Sequence, residues 1–238
     1  MASEISRRTD LEAGFVRLGR PCYVVEEVDS TQNLLYSLAQ AGAPEGTLLL
    51  AERQTQGRGR RGRTWQTLPG ALTFSLLLRP KLPPEALTLI PLAAGVALQE
   101  ATGIGGLKWP NDLLVPDGRK LAGILGEVSA GGQLLILGVG LNLTAAPPGG
   151  AALHEFRPLA REEVLKAFLR NLEDQLADLS GVVPAWRARS AIWGKEIEVA
   201  GQRGRALDLA PDGALLLEVS GRITTITAGE VRLLGGIP

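Results

Sequence analysis

The chain has 238 residues, of which 45% are hydrophobic, and its 25 lysines and arginines are balanced by 25 aspartates and glutamates. This length allows a substantial core in one large domain or in a larger and a smaller one, while the zero net charge argues against a nucleic-acid-binding domain, which is usually strongly basic. The one cysteine, Cys22, excludes an intramolecular disulfide, and no Cys/His cluster is present that would hold zinc.

The N-terminal residues 1–20 begin with a polar and charged stretch, and no run of about 18 apolar residues occurs anywhere in the sequence. The sequence therefore indicates neither a secretory signal nor a membrane-spanning helix. With its single cysteine it favours a reducing, cytoplasmic location. We expect residues 1–20 to be a short N-terminal segment, too short to hold a helix-turn-helix domain.

The first predicted strand covers residues 21–28 and ends at Asp29. Leucines and alanine at three- and four-residue spacing over 34–39 predict the helix that follows. Ser30 and Thr31 stand where a helix is capped, because their hydroxyl groups accept hydrogen bonds from the first free backbone N–H groups. Capping alone explains the pair, and ligand binding is the alternative.

The most distinctive stretch is the arginine loop, residues 54–65, which follows a predicted strand over 48–53. Four arginines and three glycines lie between Gly57 and Arg63. Glycine lets backbone amides approach a ligand closely, and arginine forms bidentate, charge-assisted bonds with phosphate or carboxylate. No Gly-Lys-Ser/Thr follows, so the loop is not a P-loop. We expect a segment that becomes ordered around an anion, with a solvated turn and a nucleic-acid tail as alternatives.

The middle of the chain alternates short apolar runs with turn residues and two longer helical patterns. The predicted strands are 71–78, 107–109, 113–115, 120–128 and 134–143, and the predicted helices run from Pro83 to Leu98 and over 161–179. A turn at 130–132 joins two of the strands. Consecutive hairpins predict a mostly antiparallel or mixed sheet with flanking helices, and the leucine stripe of the second helix is core.

Near residue 190, after a further short helix predicted within 181–190, the sequence pattern changes to short strand candidates. Five short strand candidates then follow, separated by glycine turns, at 196–199, 206–209, 214–219, 222–227 and 231–234. Regular short strands of this kind predict a small β-barrel. The expected organisation is a short segment over 1–20, a mixed α/β domain over 21–189 and a barrel over 190–238.

Five motifs come in a distinctive order. They are Asp-Ser-Thr at 29–31, the arginine loop, Lys-Trp-Pro-Asn-Asp-Leu at 108–113, Lys-Leu-Ala-Gly-Ile-Leu at 120–125 and Gly-Val-Gly-Leu-Asn at 138–142. This series resembles the biotin protein ligases, and the resemblance runs from about Tyr23 to the end of the chain. It implies an α/β catalytic domain of the α+β kind, built on a mixed sheet and followed by a C-terminal SH3-like β-barrel, in a form that lacks the N-terminal DNA-binding domain.

The resemblance implies a two-step ligase reaction in which biotin and ATP give biotinyl-5′-AMP and pyrophosphate. A lysine of a biotin carboxyl carrier protein, the acetyl-CoA carboxylase subunit, then accepts the biotin. Two anions meet in the first step, so the family chemistry requires Mg²⁺ and fixed positive charge.

The resemblance also assigns site residues. Lys120, Arg58 and Arg60 are the expected catalytic residues: Lys120 contacts the biotin carboxylate and the phosphate, while the arginine loop closes over the adenylate and excludes water. The expected biotin-binding residues are Ser30, Thr31, Gln32, Gln54, Gly57, Arg58, Gly59, Arg60, Lys120 and Gly123, with Gln32 standing where many relatives have asparagine. The expected nucleotide-binding residues are Arg58, Arg60, Trp65, Lys108, Asn111 and Asn142. Asp112 is assigned to Mg²⁺ or to orienting the attacking amine, and Trp109 to packing.

Other functions stay open at the level of sequence. A nucleic-acid module would bind oligonucleotides with a strong dependence on salt. A lipoate ligase would share the broad fold, although the arginine loop argues for biotin. A ligase that also represses transcription is disfavoured by the short N-terminal segment, and we expect no specific DNA binding. Exposed sheet edges permit a homodimer.

Overall fold

A computed structural model describes residues 5–12, 14–15, 17–129 and 131–234, and two sheets organise this part of the chain. The larger sheet contains β1 (Ile5–Arg7), β2 (Cys22–Val28), β3 (Leu48–Gln54), β4 (Leu72–Leu78), β5 (Gly106–Lys108), β6 (Asp112–Leu114), β7 (Lys120–Val128) and β8 (Leu135–Leu141). Their order is β1-β2-β3-β4-β8-β7-β6-β5. The pair β2 and β3 is parallel and the other neighbours are antiparallel, which confirms the predicted mixed sheet. Of the predicted turn at 130–132, Ala130 lies outside the described residues.

Helices cover both faces of the larger sheet. They are α1 (Thr9–Glu12), α2 (Thr31–Gln40), α3 (Leu89–Thr102), α4 (Arg161–Ala177) and α5 (Val182–Ala188). The helix predicted from Pro83 begins as a separate 3-10 turn, Pro84–Thr88, before α3. The helix predicted over 161–179 ends at Ala177, because the Asp178 side chain accepts a hydrogen bond from the Ser180 amide at 3.0 Å and starts a new turn. No helix among the described residues is long and apolar enough to cross a lipid bilayer.

Both faces of the larger sheet carry an apolar cluster, but part of the second face is polar, as β4 shows. Alternate side chains of a strand point to opposite faces. Leu72, Phe74 and Leu76 face the main core with α3 and α4, where the Phe74 and Phe168 rings pack edge to face with their centres 5.3 Å apart. Thr73 belongs to neither apolar cluster and points to the opposite face, which α2 covers only in part. The polar part of this second face, around Thr73 and Ser75, is therefore available for a site.

The N-terminal segment is part of the larger sheet. Strand β1 pairs antiparallel with β2 at the sheet edge. Leu11, Phe15 and Leu18 are buried in the main core, and Glu173 of α4 accepts a hydrogen bond from the Arg17 amide at 2.7 Å. Sequence patterning missed this strand because three residues are too few to show an alternation.

The smaller sheet is antiparallel throughout. Within the described residues its strands are β9 (Glu196–Val199), β10 (Gln202–Leu209), β11 (Leu215–Val219), β12 (Arg222–Ile226) and β13 (Arg232–Leu233), in the order β12-β11-β10-β9-β13. All five strands were predicted, with ends shifted by up to four residues. The sheet lies against the first one, since the buried Trp109 donates a hydrogen bond from Nε1 to the Gly213 carbonyl at 3.0 Å. Trp109 is thus a packing residue, as predicted.

Candidate active site

A cavity of about 310 Å³ lies on the polar face of the larger sheet, near the first turn of α2. Its floor crosses three strands, where Thr73 of β4 pairs with Gly140 of β8, and Gly140 pairs with Gly123 of β7. A Cβ atom on Gly140 would lie 2.2 Å from the Trp65 indole, and one on Gly123 would lie 3.3 Å from the same ring. Glycine is required at Gly140 because only a bare backbone lets the indole lie against the sheet.

The arginine loop forms a narrow hairpin over this floor. Arg58 and Thr64 form an antiparallel bridge, and the Trp65 amide donates to the Gly57 carbonyl at 2.9 Å. Arg61 takes the left-handed conformation at the tip, with φ of 56°. The hairpin thereby returns the chain so that Trp65 covers the glycine floor.

The arginines tie the loop to three other parts of the molecule. Arg58 pairs with Glu127 of β7 at 2.5 Å and donates to Asn33 of α2 at 2.9 Å. Arg60 donates to the Gly229 carbonyl at 3.0 Å, and Arg63 forms an ion pair with Glu230. The loop therefore spans the cavity from the larger sheet to the connection that precedes β13.

Of the four arginines in the loop, Arg60 is the least exposed to water. Burial lowers the pKa of its guanidinium, the neighbouring positive charge of Arg61 lowers it further, and Asp112 and Glu230 oppose the change. An arginine stays charged even so. A buried cation of this kind favours an anionic ligand, because the low local dielectric strengthens the attraction.

The buried carboxylate of Asp112 forms ion pairs with two lysines. Asp112, which is 8% exposed, accepts from Lys120 Nζ at 2.6 Å and from Lys108 Nζ at 3.0 Å, one on each oxygen. Burial alone would raise the pKa of Asp112, but the two ammonium groups outweigh it and hold the pKa below its usual range. Lys120 also lies over the Trp65 ring, 5.7 Å from its centre.

The opposite end of the cavity holds an internal hydrogen-bond network. Ser75 donates to the Thr31 hydroxyl at 2.8 Å, and Thr31 donates from both its amide and its hydroxyl to Gln54 Oε1, at 2.8 and 3.0 Å. Gln54 Nε2 donates to Thr67 at 3.3 Å. This network fixes Gln54, and among the described residues one N–H of its amide has no acceptor.

Four buried polar atoms of the cavity lining have no hydrogen-bond partner among the described residues. They are Ser30 Oγ, Gln32 Oε1, Trp65 Nε1 and Thr73 Oγ1. Gln32 Nε2 donates to the Leu125 carbonyl at 3.0 Å, so its carbonyl oxygen is the atom left over. Buried polar groups are nearly always paired, and these atoms therefore mark where a polar ligand makes its contacts.

The residues around Asp112 do not fit a protein-built magnesium site. Both of its oxygens are paired with ammonium groups, and no group of three or more His, Cys, Asp or Glu side chains able to hold a metal occurs in the described part of the chain. Mg²⁺ prefers several oxygen ligands and binds to phosphates together with one or two carboxylates. The ion would therefore arrive with a nucleotide, as part of the substrate.

Most of the residues assigned by resemblance line the cavity. They are Ser30, Thr31, Gln32, Gln54, Arg58, Gly59, Arg60, Trp65, Asn111, Asp112, Lys120 and Gly123. Three others lie one contact away. Gly57 supports Trp65, Lys108 reaches Asp112 and the Val231 carbonyl, and Asn142 Nδ2 lies 3.4 Å from the Lys120 carbonyl. Their ligand contacts stay predictions.

Sequence reasoning gave no site role to several residues of the lining, although some of them, such as Gly138 and Gly140, stand in the motifs. They are Thr73, Gly138, Gly140, Pro147, Gly229 and Glu230. The period-two pattern of β4 places Thr73 on the face opposite the core, and this was the available signal. No local pattern brings Gly229 to the arginine loop.

The chain matches the Biotin/lipoate A/B protein ligase family over residues 24–143, about half of its length, and it belongs to this family. It is 37% identical to a Biotin--[acetyl-CoA-carboxylase] ligase of Mycobacterium tuberculosis, over 87% of each chain. Its structure is similar to that of a biotin protein ligase from Aquifex aeolicus in complex with biotin and ATP, with a TM-score of 0.77, 32% identity and coverage of 89% of this chain and 97% of that one. A Helicobacter pylori biotin acetyl coenzyme A carboxylase synthetase with bound biotinylated ATP matches with a TM-score of 0.61 and 27% identity, over 85% of this chain and 97% of that one.

Proposed function

We propose that this chain is an ATP-dependent biotin protein ligase. It forms biotinyl-5′-AMP from biotin and ATP and transfers the biotin to a lysine of a biotin carboxyl carrier protein. The observation that carries the proposal is the cavity, where unpaired polar atoms lie near a glycine floor and Lys120, Arg58 and Arg60 supply positive charge. The names of the relatives support this choice of substrates.

The cavity suits the bicyclic head of biotin. One edge of that head is a urea, with a carbonyl acceptor and two N–H donors, and the rest is apolar. Ser30 and Gln32 offer unpaired polar atoms to the urea edge, and Gln54 offers its free N–H. The Trp65 indole, which covers Gly140, offers a flat apolar surface to the ring.

In the first step, an oxygen of the biotin carboxylate attacks the α-phosphorus of ATP, and the bond to the β-phosphate oxygen breaks to release pyrophosphate. Both reactants are anionic, so positive charge must offset their repulsion. Lys120 turns from Asp112 toward the new acyl phosphate, since its side chain is only half-buried and keeps two further N–H donors. Arg58 and Arg60 hold the phosphate side, and Mg²⁺ enters with ATP as substrate.

In the second step, the neutral amine of the acceptor lysine attacks the acyl carbon. A C–N bond forms, the bond from that carbon to the phosphate oxygen breaks, and AMP leaves while the amine loses a proton to solvent. Lys120, oriented by Asp112, stabilises the leaving phosphate. The arginine loop covers the anhydride, which keeps water from reacting first.

The smaller sheet curls into an SH3-like barrel, which is supported by the irregularity between Ala206 and Asp208 that bends β10. A cytoplasmic location, the absence of specific DNA binding and a homodimer stay predictions. Asp112 orients Lys108 and Lys120 in this scheme, and the magnesium ion is bound through ATP.

Exchange of labelled pyrophosphate into ATP tests the first step directly. We expect exchange that depends on biotin and does not occur with lipoate, followed by transfer of biotin to a purified carrier domain. Exchange driven equally well by lipoate would instead favour lipoate ligation, the other activity in the name of this family. No exchange with either acid, together with salt-sensitive oligonucleotide binding, would favour a nucleic-acid module.

A further inference from the structure

Thr73 carries a buried hydroxyl that nothing else in the described chain uses. Its residue is 2% exposed, it lines the cavity, and Oγ1 has no hydrogen-bond partner. Ser75, two residues along the same face of β4, is different because its hydroxyl donates to Thr31 at 2.8 Å. Of these two neighbouring hydroxyls, Thr73 alone is left for a ligand.

The surroundings of Thr73 show which part of a ligand it meets. Thr73 pairs with Gly140, the floor glycine that lies under Trp65. The position is deep, whereas the charged side chains of Arg58 and Lys120 are 45% and 39% exposed. A triphosphate needs those charges, so the nucleotide binds in the charged, open part of the cavity. The uncharged bicyclic head of biotin then binds in the deep part, next to the floor.

The polar groups left unpaired around the cavity match a urea in kind, and the two lone pairs of its carbonyl can accept from both the Gln54 N–H and one hydroxyl. Apart from the Trp65 indole N–H, the orphan atoms are Ser30 Oγ, Gln32 Oε1 and Thr73 Oγ1. An amide carbonyl only accepts, so Gln32 Oε1 takes an N–H group, while each hydroxyl both donates and accepts. The urea presents three polar groups, one carbonyl and two N–H.

We propose that the Thr73 hydroxyl hydrogen-bonds the ureido group of bound biotin and is a determinant of biotin affinity. This inference rests on the proposed function and adds to it a ligand contact that the sequence motifs do not contain. Leaving one polar group of a buried urea unpaired costs affinity, because that group has lost its water and found no partner.

The test is titration calorimetry of the full chain with biotin and with desthiobiotin, which keeps the urea and lacks the sulfur. Thr73→Val, which keeps the shape and removes the hydroxyl, should weaken binding of both ligands by about tenfold, and Thr73→Ser should restore most of the affinity. A loss of affinity for biotin but not for desthiobiotin would mean that the hydroxyl contacts the sulfur atom, and this would overturn the proposal. Unchanged affinity would overturn it as well.

Thermal unfolding separates ligand binding from folding. The hydroxyl has no partner among the described residues, so the Tm of Thr73→Val without ligand should equal or exceed that of the wild type. Thr47→Val is the matched control. Thr47 is fully buried outside the cavity and donates to the Pro44 carbonyl at 2.6 Å, so its variant should lose stability and keep biotin affinity. A several-degree fall in Tm for Thr73→Val would mean that the hydroxyl serves the fold, against the proposal.

Wild-type chain that binds neither ligand would reject the proposed function itself. Normal wild-type binding with an unaffected Thr73→Val variant rejects only the role of Thr73.

Discussion

Lys120 and Asp112 form an ion pair of 2.6 Å beside the glycine floor, and the same carboxylate holds Lys108 at 3.0 Å on its other oxygen. One buried acid thus fixes two cations within a few ångströms of each other. The arrangement orients the Lys120 ammonium group at the edge of the cavity, where a carboxylate and a phosphate are to be joined.

Lys120→Ala should slow biotin-dependent pyrophosphate exchange by about a hundredfold or more, the usual effect of removing one group that stabilises developing charge. The measurement is the initial exchange rate at saturating ATP and biotin. Lys81→Ala is the matched control, since Lys81 is an exposed lysine that does not line the cavity. Undiminished exchange in the Lys120 variant would remove this residue from the site.

Asp112→Asn should destabilise the fold at pH 7 by about 2 kcal/mol, less than the 3–5 kcal/mol of a fully buried pair because Lys120 is 39% exposed and water screens it. The pKa of Asp112 lies below its usual value. The ion pairs therefore stabilise the fold fully above the unfolded pKa of about 3.9, and this stabilisation is lost as the pH falls through the lower, folded pKa. Urea unfolding of both proteins at pH 7 and near pH 3 should show the difference shrinking in acid. A constant difference would contradict the ion-pair explanation.

Glu127→Gln should loosen the arginine loop, because Arg58 loses its 2.5 Å partner and keeps only the contact with Asn33. Trypsin should then cut at the loop faster, and biotin with ATP should protect it less well than in the wild type. Glu52→Gln is the control. Glu52 pairs with Arg161 of α4 at 2.6 Å and does not line the cavity. Equal cutting of both variants would show that Glu127 does not hold the loop.

Gly140→Ala should impair biotin binding and exchange together. The added methyl group would lie 2.2 Å from the Trp65 ring, too close for any contact, so the indole must move off the floor. Gly181→Ala provides the comparison, since a Cβ atom there meets nothing within 4 Å. Biotin titration and pyrophosphate exchange check both variants. Wild-type values for Gly140→Ala would mean that the Trp65 position is irrelevant to the ligand.

Most strands and helices could be predicted closely because they carry a local signal, whereas the short β1 and α1 carry none. Leu72, Phe74 and Leu76 alternate with polar residues, and the apolar stripe of α4 repeats at helical spacing. The site residues within the motifs were assigned from the resemblance to a known family. In the structure two of them, Lys120 and Asp112, form an ion pair. Local sequence gives no such help with Arg60 and Gly229, which are 169 positions apart and meet only because the smaller sheet lies against the larger one.

Thr73 shows a different limit of sequence reasoning. A threonine in a strand is ordinary, and only the burial and missing partner of its hydroxyl reveal it as unusual. The expectation for the arginine loop was incomplete for a similar reason. Glycine and arginine content described an anion-binding segment, but the partners Glu127 and Glu230 lie elsewhere in the chain.

The anchoring of the arginine loop at Gly229 and Glu230 has a consequence for biosynthesis. The last strand of the larger sheet ends at Leu141, so these two residues are synthesised long after it, and the loop of a growing polypeptide lacks both anchors until then. A chain that ends before residue 229 would lack the contacts of Arg60 and Arg63 there, and Arg58 alone would tie the loop to the larger sheet. The arginine loop can therefore be fully anchored only after residue 230 has been added.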